Sequence, residues 1–266
     1  MKIYISADIE GCAGISHWDE AEKGHPAYDE FRRQMTRETV AACEGAGAAG
    51  ATEIWVKDAH DSGRNLLIDA FPDEVRLIRG WSGDPMSMVQ ELDRSFDAVV
   101  MIGYHATAGS EANPLAHSLS SKAPRILLNG QSLSEFRCFG LAAALHEVPV
   151  AFLSGDAGIC AEVQRINERI PTLAVKTGYG DSVNSLAANL AVDRIRSGVK
   201  SALEGALSER RLALAEAYEL EVYYSDPVTA TRMSFFPGVE RAGERTLRFS
   251  SRDYYEVLRT IQFIAG

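Results

Sequence analysis

Two carboxylates stand one residue apart where the first apolar run of the chain ends, Asp8 and Glu10 in SADIEG (Ser6–Gly11). A buried strand ends in such residues only if they meet solvent there or something cationic holds them. Two further apolar runs end in similar side chains. EIWVK (Glu53–Lys57) leads into Asp58, His60 and Asp61, and FDAVVMIG (Phe96–Gly103) leads into His105. A loop then brings His117, and the helix start after NGQSLSE brings Glu135. In open α/β sheets ligands bind outside the carboxyl ends of the strands. Asp8, Glu10, His60, His105, His117 and Glu135 are therefore expected at one site.

Asp8 and Glu10 share parity. In an extended strand both point to one side, roughly 6.5–7 Å apart, and without a metal each raises the pKa of the other. A divalent ion removes that repulsion. Mixed carboxylate and imidazole ligands suit zinc, manganese or iron, and the lack of cysteine at these strand ends speaks against a structural Cys-rich zinc site. A carboxylate bridging two ions would make a two-metal hydrolytic centre. Each residue alone has a plainer reading. Asp8 could be a turn residue or N-cap, His60 a loop histidine, His117 a capping or packing histidine, and Glu135 a first-turn carboxylate favoured by the helix dipole. The joint pattern carries the expectation; His17, His25 and His146 read as surface or packing histidines.

The elements that must position these residues alternate along the chain. Strands are expected at Lys2–Ala7, Glu53–Lys57, Val75–Ile78, Phe96–Gly103, Arg125–Leu128, Val148–Leu153 and Leu173–Val175. Helices are expected at Tyr28–Gly50, Met86–Leu92, Leu133–His146 and Ala157–Glu168. Gly45, Gly47 and Gly50 suggest that the first helix ends in close packing on a sheet. The alternation implies an α/β fold with a doubly wound, mostly parallel sheet. After about Gly180 the texture changes: a long Ala-rich helical stretch (Asn184 to about Glu216), strands at Glu219–Tyr224 and Thr246–Phe249, and a last helix from Arg252. This predicts an α/β catalytic domain over 1–180 and a smaller C-terminal α+β subdomain over 181–266.

Composition narrows the function classes. The 266 residues are 46% hydrophobic and 24% charged, ordinary for a globular protein. A net charge of −10 speaks against nucleic acid or an anionic membrane as main partner. The four cysteines form no CxxC pair and read as free thiols of a cytoplasmic protein. The N-terminus reads directly as a strand rather than a signal peptide, and no apolar run approaches the roughly 20 residues of a membrane helix. KTGYG (Lys176–Gly180) lacks Walker A spacing, and neither GxGxxG nor GxSxG follows a strand. SGD (Ser154–Asp156) ends another strand at the expected face. The NGQS turn (Asn129–Ser132) offers amides that could bind an oxyanion.

The ordered blocks SADIEG, KDAHDSGRN (Lys57–Asn65), GYHA (Gly103–Ala106), His117-Ser118, NGQSLSE, SGDAG (Ser154–Gly158) and PGVERAGERTLRF (Pro237–Phe249) resemble the D-aminopeptidase family of metallopeptidases, whose N-terminal signature is SxDxEG. The resemblance spans essentially the whole chain. It implies a two-zinc aminopeptidase that hydrolyses short peptides with an N-terminal D-residue, such as D-Ala-D-Ala, through a metal-activated water. Asp8 is similar to the family's bridging ligand, Glu10, His60, His105 and Glu135 to its other ligands, and His117 to its catalytic histidine. The family also implies a homodecamer of two stacked rings. It often carries Ser-His-Gly where this chain has Ala59-His60-Asp61, so Asp61 adds a charge near the ligands. Hydrolysis of another small amide or ester, or an inactive peptide-binding scaffold, are the alternative readings.

Overall fold

The first strand, β1 (Lys2–Ala7), sets the plan of the molecule. Its side chains alternate: Ile3, Ile5 and Ala7 enter one apolar core, while Tyr4 faces another. The computed structural model describes residues 1–265. Helix α1 (Tyr28–Ala48) leads to β2 (Glu53–Asp58), β3 (Val75–Ile78) and β4 (Ala98–Tyr104). The hairpin β5 (Arg125–Leu128) and β6 (Gln131–Ser132) precedes α2 (Glu135–Leu145), β7 (Val150–Asp156), α3 (Ala157–Ile166), β8 (Thr172–Tyr179) and β9 (Ser182–Ser185). The chain closes with α4 (Ala188–Leu203), β10 (Tyr218–Tyr223), α5 (Pro227–Met233), β11 (Glu240–Arg241), β12 (Thr246–Ser251) and α6 (Tyr254–Ile264).

Seven strands form the main sheet in the order β3-β2-β1-β4-β7-β8-β9. All pairs are parallel except the hairpin β8–β9. The interior strands β4 and β7 are buried at every position, as continuous apolar runs require of strands covered on both faces. Helices α1 and α4 cover one face. Gly45 lets them approach: a Cβ there would lie 2.4 Å from the Arg196 carbonyl oxygen. This glycine thus packs against a helix rather than the expected sheet. On the other face α2 contacts β4 and α6, and α6 contacts β10 and β12. The four cysteines are free and buried.

The second sheet is antiparallel, in the order β11-β12-β10-β5-β6. The strand expected at Arg125–Leu128 forms, but it pairs with β10 instead of joining the parallel sheet. The NGQS segment is a hairpin turn. Asn129 and Gly130 have φ of 52° and 72°, the left-handed pair that a two-residue Asn-Gly hairpin uses. The second sheet thus draws strands from both sides of residue 180. The Ala-rich stretch also breaks up: its start forms β9, and α4 ends at Leu203 before Gly205. The short helix expected at Met86–Leu92 is a single 3₁₀ turn, Ser87–Val89.

Candidate metal centre

The carboxyl ends of β1, β2 and β4 lie side by side, and the chain leaves β1 at Ala7 in a tight turn. Asp8 N donates to the Ile102 carbonyl and Gly11 N to that of Gly103, each at 2.8 Å. Gly103 makes this possible, with φ of 71° and no Cβ to strike the Asp8 carbonyl 2.2 Å away. The turn brings Asp8 and Glu10 together more tightly than an extended strand would. One carboxylate oxygen of each lies with a nitrogen of His60 in a group whose atoms are all within 4.8 Å of one another.

All six predicted residues converge. Nδ1 of His60 lies 3.3 Å from Asp8 Oδ1 and 3.1 Å from Glu10 Oε2. Nε2 of His105 lies 3.5 Å from Asp8 Oδ2 and 3.3 Å from Glu135 Oε2, and Nε2 of His117 lies 3.7 Å from Glu135 Oε1. The His105 and His117 rings stack, centroids 4.3 Å apart. Glu135 opens α2 behind the N-cap Ser134, and its Oε1 accepts from Leu119 N at 2.8 Å.

The hydrogen bonds decide what these rings can do. The far nitrogen of each histidine faces a backbone carbonyl: His60 Nε2 on Ala21 at 2.8 Å, His105 Nδ1 on Ala106 and His117 Nδ1 on Leu115, both at 3.0 Å. A carbonyl only accepts, so these nitrogens carry the hydrogens, and in the neutral rings the other nitrogens present lone pairs to the carboxylates. With the rings neutral, acceptors would face acceptors. Among the described residues, Asp8 Oδ2, Glu10 Oε2 and His105 Nε2 are buried without a hydrogen-bond partner, an arrangement that added positive charge relieves, whether a proton or a metal ion. Burial, then the charge of Glu10, pushes the Asp8 carboxyl well above its usual pKa. Burial opposes charge on Glu10 too, yet His60 holds its carboxyl well below the usual range. Burial disfavours the charged rings of His60 and His105, but Glu10 and Glu135 respectively raise them well above the usual value.

This donor set fits divalent metal ions. Bare imidazole nitrogens, each ring fixed through its second N–H to a backbone carbonyl, and carboxylate oxygens are what such ions require. Asp8 belongs to two of the possible groups, Asp8–Glu10–His60 and Asp8–His105–Glu135, and a third joins Glu10, His105 and His117.

The centre opens into a cavity of about 410 Å³ with Trp18, Trp81, Met88, Phe139, Leu258 and Ile261 among its walls. Glu22, Asp61 and Asp84 also line it, and none of its described lining residues is lysine or arginine. Asp61 has φ of 41°, a left-handed conformation. That suits the glycine often found there in the resembling family.

The strand-end expectation holds for Asp156, which caps α3. The NGQS turn lies elsewhere: Asn129 bonds to Ala217 and Glu219 and lines a separate groove, so its amides are not oxyanion donors here. Sequence reasoning also missed the walls. Trp18 meets His117 edge-on at 5.3 Å, and α6 supplies Leu258 and Ile261. An isolated tryptophan and an ordinary amphipathic helix carry no signal for such a role.

The D-aminopeptidase family model (peptidase family M55) matches residues 1–263 of this chain. The D-aminopeptidase of Bacillus subtilis (strain 168) is 28% identical over 265 residues, covering 98% of this chain and 95% of that protein. A solved structure from Bacillus subtilis, a zinc-dependent D-aminopeptidase described as a self-compartmentalizing protease, matches with a TM-score of 0.93. It is 26% identical and covers 100% of this chain and 97% of that one.

Proposed function

Since the chain belongs to the D-aminopeptidase family, we propose that it removes N-terminal D-residues from short peptides of the D-Ala-D-Ala kind at a centre of two zinc ions. The observation that carries the reading is the convergence of imidazole nitrogens and carboxylate oxygens, several of them without a hydrogen-bond partner, at the base of a cavity. Glu10 with His60 would hold one ion and His105 with Glu135 the other, with Asp8 shared between them. Bound there, the ions supply Lewis acidity that polarises the scissile carbonyl and brings a water near ionisation at neutral pH.

The chain's own residues do the rest. His117 is less buried than the ligands and faces the cavity, and its Nδ1–H is fixed on Leu115. Its Nε2 can therefore take a proton as the peptide is attacked and return it to the leaving amine. Trp18, edge-on to the ring, limits its rotation. Glu22, Asp61 and Asp84 offer acceptors to the free ammonium of the substrate, and the apolar walls cover its side chains.

The reading extends to assembly as a homo-oligomer, a decamer by family resemblance. The self-compartmentalizing relative supports it. So do Tyr179 and Phe235, 88% and 82% exposed, which leave apolar surface for contact between copies. Native mass spectrometry reads the copy number. Among the described residues, no helix is long and apolar enough to cross a membrane.

The deciding experiment measures the metal content of gently purified protein and its turnover of D-Ala-D-Ala and L-Ala-L-Ala before and after chelation. Close to two zinc ions per chain with chelator-sensitive cleavage of the D-dipeptide is the expected result. Bound metal with cleavage of the L-dipeptide alone would overturn the substrate assignment.

A further inference from the structure

Behind the carboxylates, on the main-chain side of Glu10, lies a second set of buried polar residues whose hydrogen bonds close on one amide. Asn113, 3% exposed, sits in the loop between β4 and β5. Its Nδ2 donates to the Glu10 carbonyl and to Asp156 Oδ2, each at 2.9 Å, and its Oδ1 accepts from Leu115 N at 2.9 Å. Each partner leads to a different arm of the site. The Glu10 carbonyl, which also accepts from the buried Lys176 ammonium, belongs to a proposed ligand. Asp156 Oδ2 accepts from Ala106 N at 2.8 Å, the peptide that follows His105. The Leu115 carbonyl accepts from Nδ1 of His117 at 3.0 Å.

We infer that Asn113 is a positioning residue that locks the Glu10 turn, the His105 loop and the His117 ring into one unit. The inference rests on the metal-centre reading above. The chemistry requires an amide, because the position must donate on one side and accept on the other. Aspartate matches asparagine in size and keeps an acceptor for Leu115 N. It sets a carboxylate against the Glu10 carbonyl and Asp156, so it disturbs the metal side and spares the histidine side. Alanine loses both.

The test uses the full chain with Asn113→Asp and Asn113→Ala, stripped of metal and titrated with Co²⁺. Affinity is read by competition with a chelating dye, ligand geometry by the visible d–d absorption of cobalt, folding by circular dichroism, and kcat and KM for D-Ala-D-Ala at saturating zinc. Both variants are expected to lose roughly 10- to 100-fold in cobalt affinity, the usual effect of removing an outer hydrogen-bond partner, and to shift the cobalt spectrum. Asn113→Ala should lose more kcat than Asn113→Asp, with KM little changed. Folded variants with wild-type cobalt affinity and spectrum overturn the inference, and equal kcat in the two removes the His117 arm. If the alanine variant does not fold, the aspartate variant carries the metal-side test alone. A wild type that binds cobalt but leaves D-dipeptides intact sinks the proposed function and leaves the positioning readout standing. A wild type that binds no cobalt overturns both.

Discussion

Three buried aspartates stand at the carboxyl ends of strands in one sheet, and they are not alike. Asp58, at the end of β2, accepts from Asn65 N at 2.5 Å, Asn65 Nδ2 at 2.7 Å and Leu66 N at 2.8 Å. Asp156, at the end of β7, accepts from Ala106 N, Asn113 Nδ2 and Ile159 N. Among the described residues, Asp8, just past β1, accepts one backbone hydrogen bond, from Ile9 N, beside the His60 ring, and its Oδ2 has no donor. Burial does not separate them; the supply of donors does. Two are clamps that tie loops to strand ends, and the third keeps an oxygen unpaired among the imidazole and carboxylate groups that could hold a metal ion.

The comparison breaks most visibly in activity. Asp8→Asn, or His105→Ala, should lower D-dipeptide turnover by about 10³-fold or more, since loss of metal removes several kcal/mol of transition-state stabilisation at ~1.4 kcal/mol per decade. Metal analysis of the purified variants checks the cause. Asp58→Ala should do the reverse. It leaves the proposed ligands in place but strands two buried backbone N–H groups, at about 1–3 kcal/mol each, seen as a lower urea midpoint with turnover per folded molecule largely kept. Equal behaviour of the two aspartates in both assays would erase the distinction.

A smaller effect sharpens it. In metal-free protein, burial and Glu10 make ionised Asp8 unfavourable. Asp8→Asn should therefore raise the melting temperature of the stripped protein at neutral pH. The gain should disappear in acid, where Asp8 is protonated in both the folded and unfolded chain. Thermal melts with chelator at two pH values read it. The smallest effect belongs to Lys57, beside Asp58, whose ammonium burial lowers to about 8 from 10.5. The unfolded chain binds more protons between those values, so stability from this group rises with pH across that window. Urea melts of wild type and Lys57→Met should differ in slope between pH 8 and 10.5.

The alternation of strands and helices, and the side chains closing three strands, were readable because both follow from local pattern. Periodicity does not say which sheet a strand joins. Arg125–Leu128 has the same apolar character whether it pairs in parallel with the first sheet or antiparallel with β10. The Asn129-Gly130 dipeptide was the available clue to a hairpin. Asp8 and Asp58 look equivalent in sequence because the donors that satisfy Asp58 lie on a loop whose path is set by the fold. Asn113 was missed for the same reason, although the Asn-Pro step that follows it marks a turn.

The order of the sheet also bears on biosynthesis. β1 is the first strand made, yet it sits inside the sheet between β2 and β4. A nascent chain must carry this apolar segment, with Asp8 and Glu10 at its end, until residue 53 supplies one neighbour and residue 98 the other. Such long-range pairing is slow to form and prone to aggregation. Because Asp8 N and Gly11 N bond to the carbonyls of Ile102 and Gly103, the turn that gathers Asp8 and Glu10 also waits for β4. A chain that stalls before residue 98 therefore exposes an apolar strand with one edge of its ladder unpaired and two carboxylates ungathered at its end.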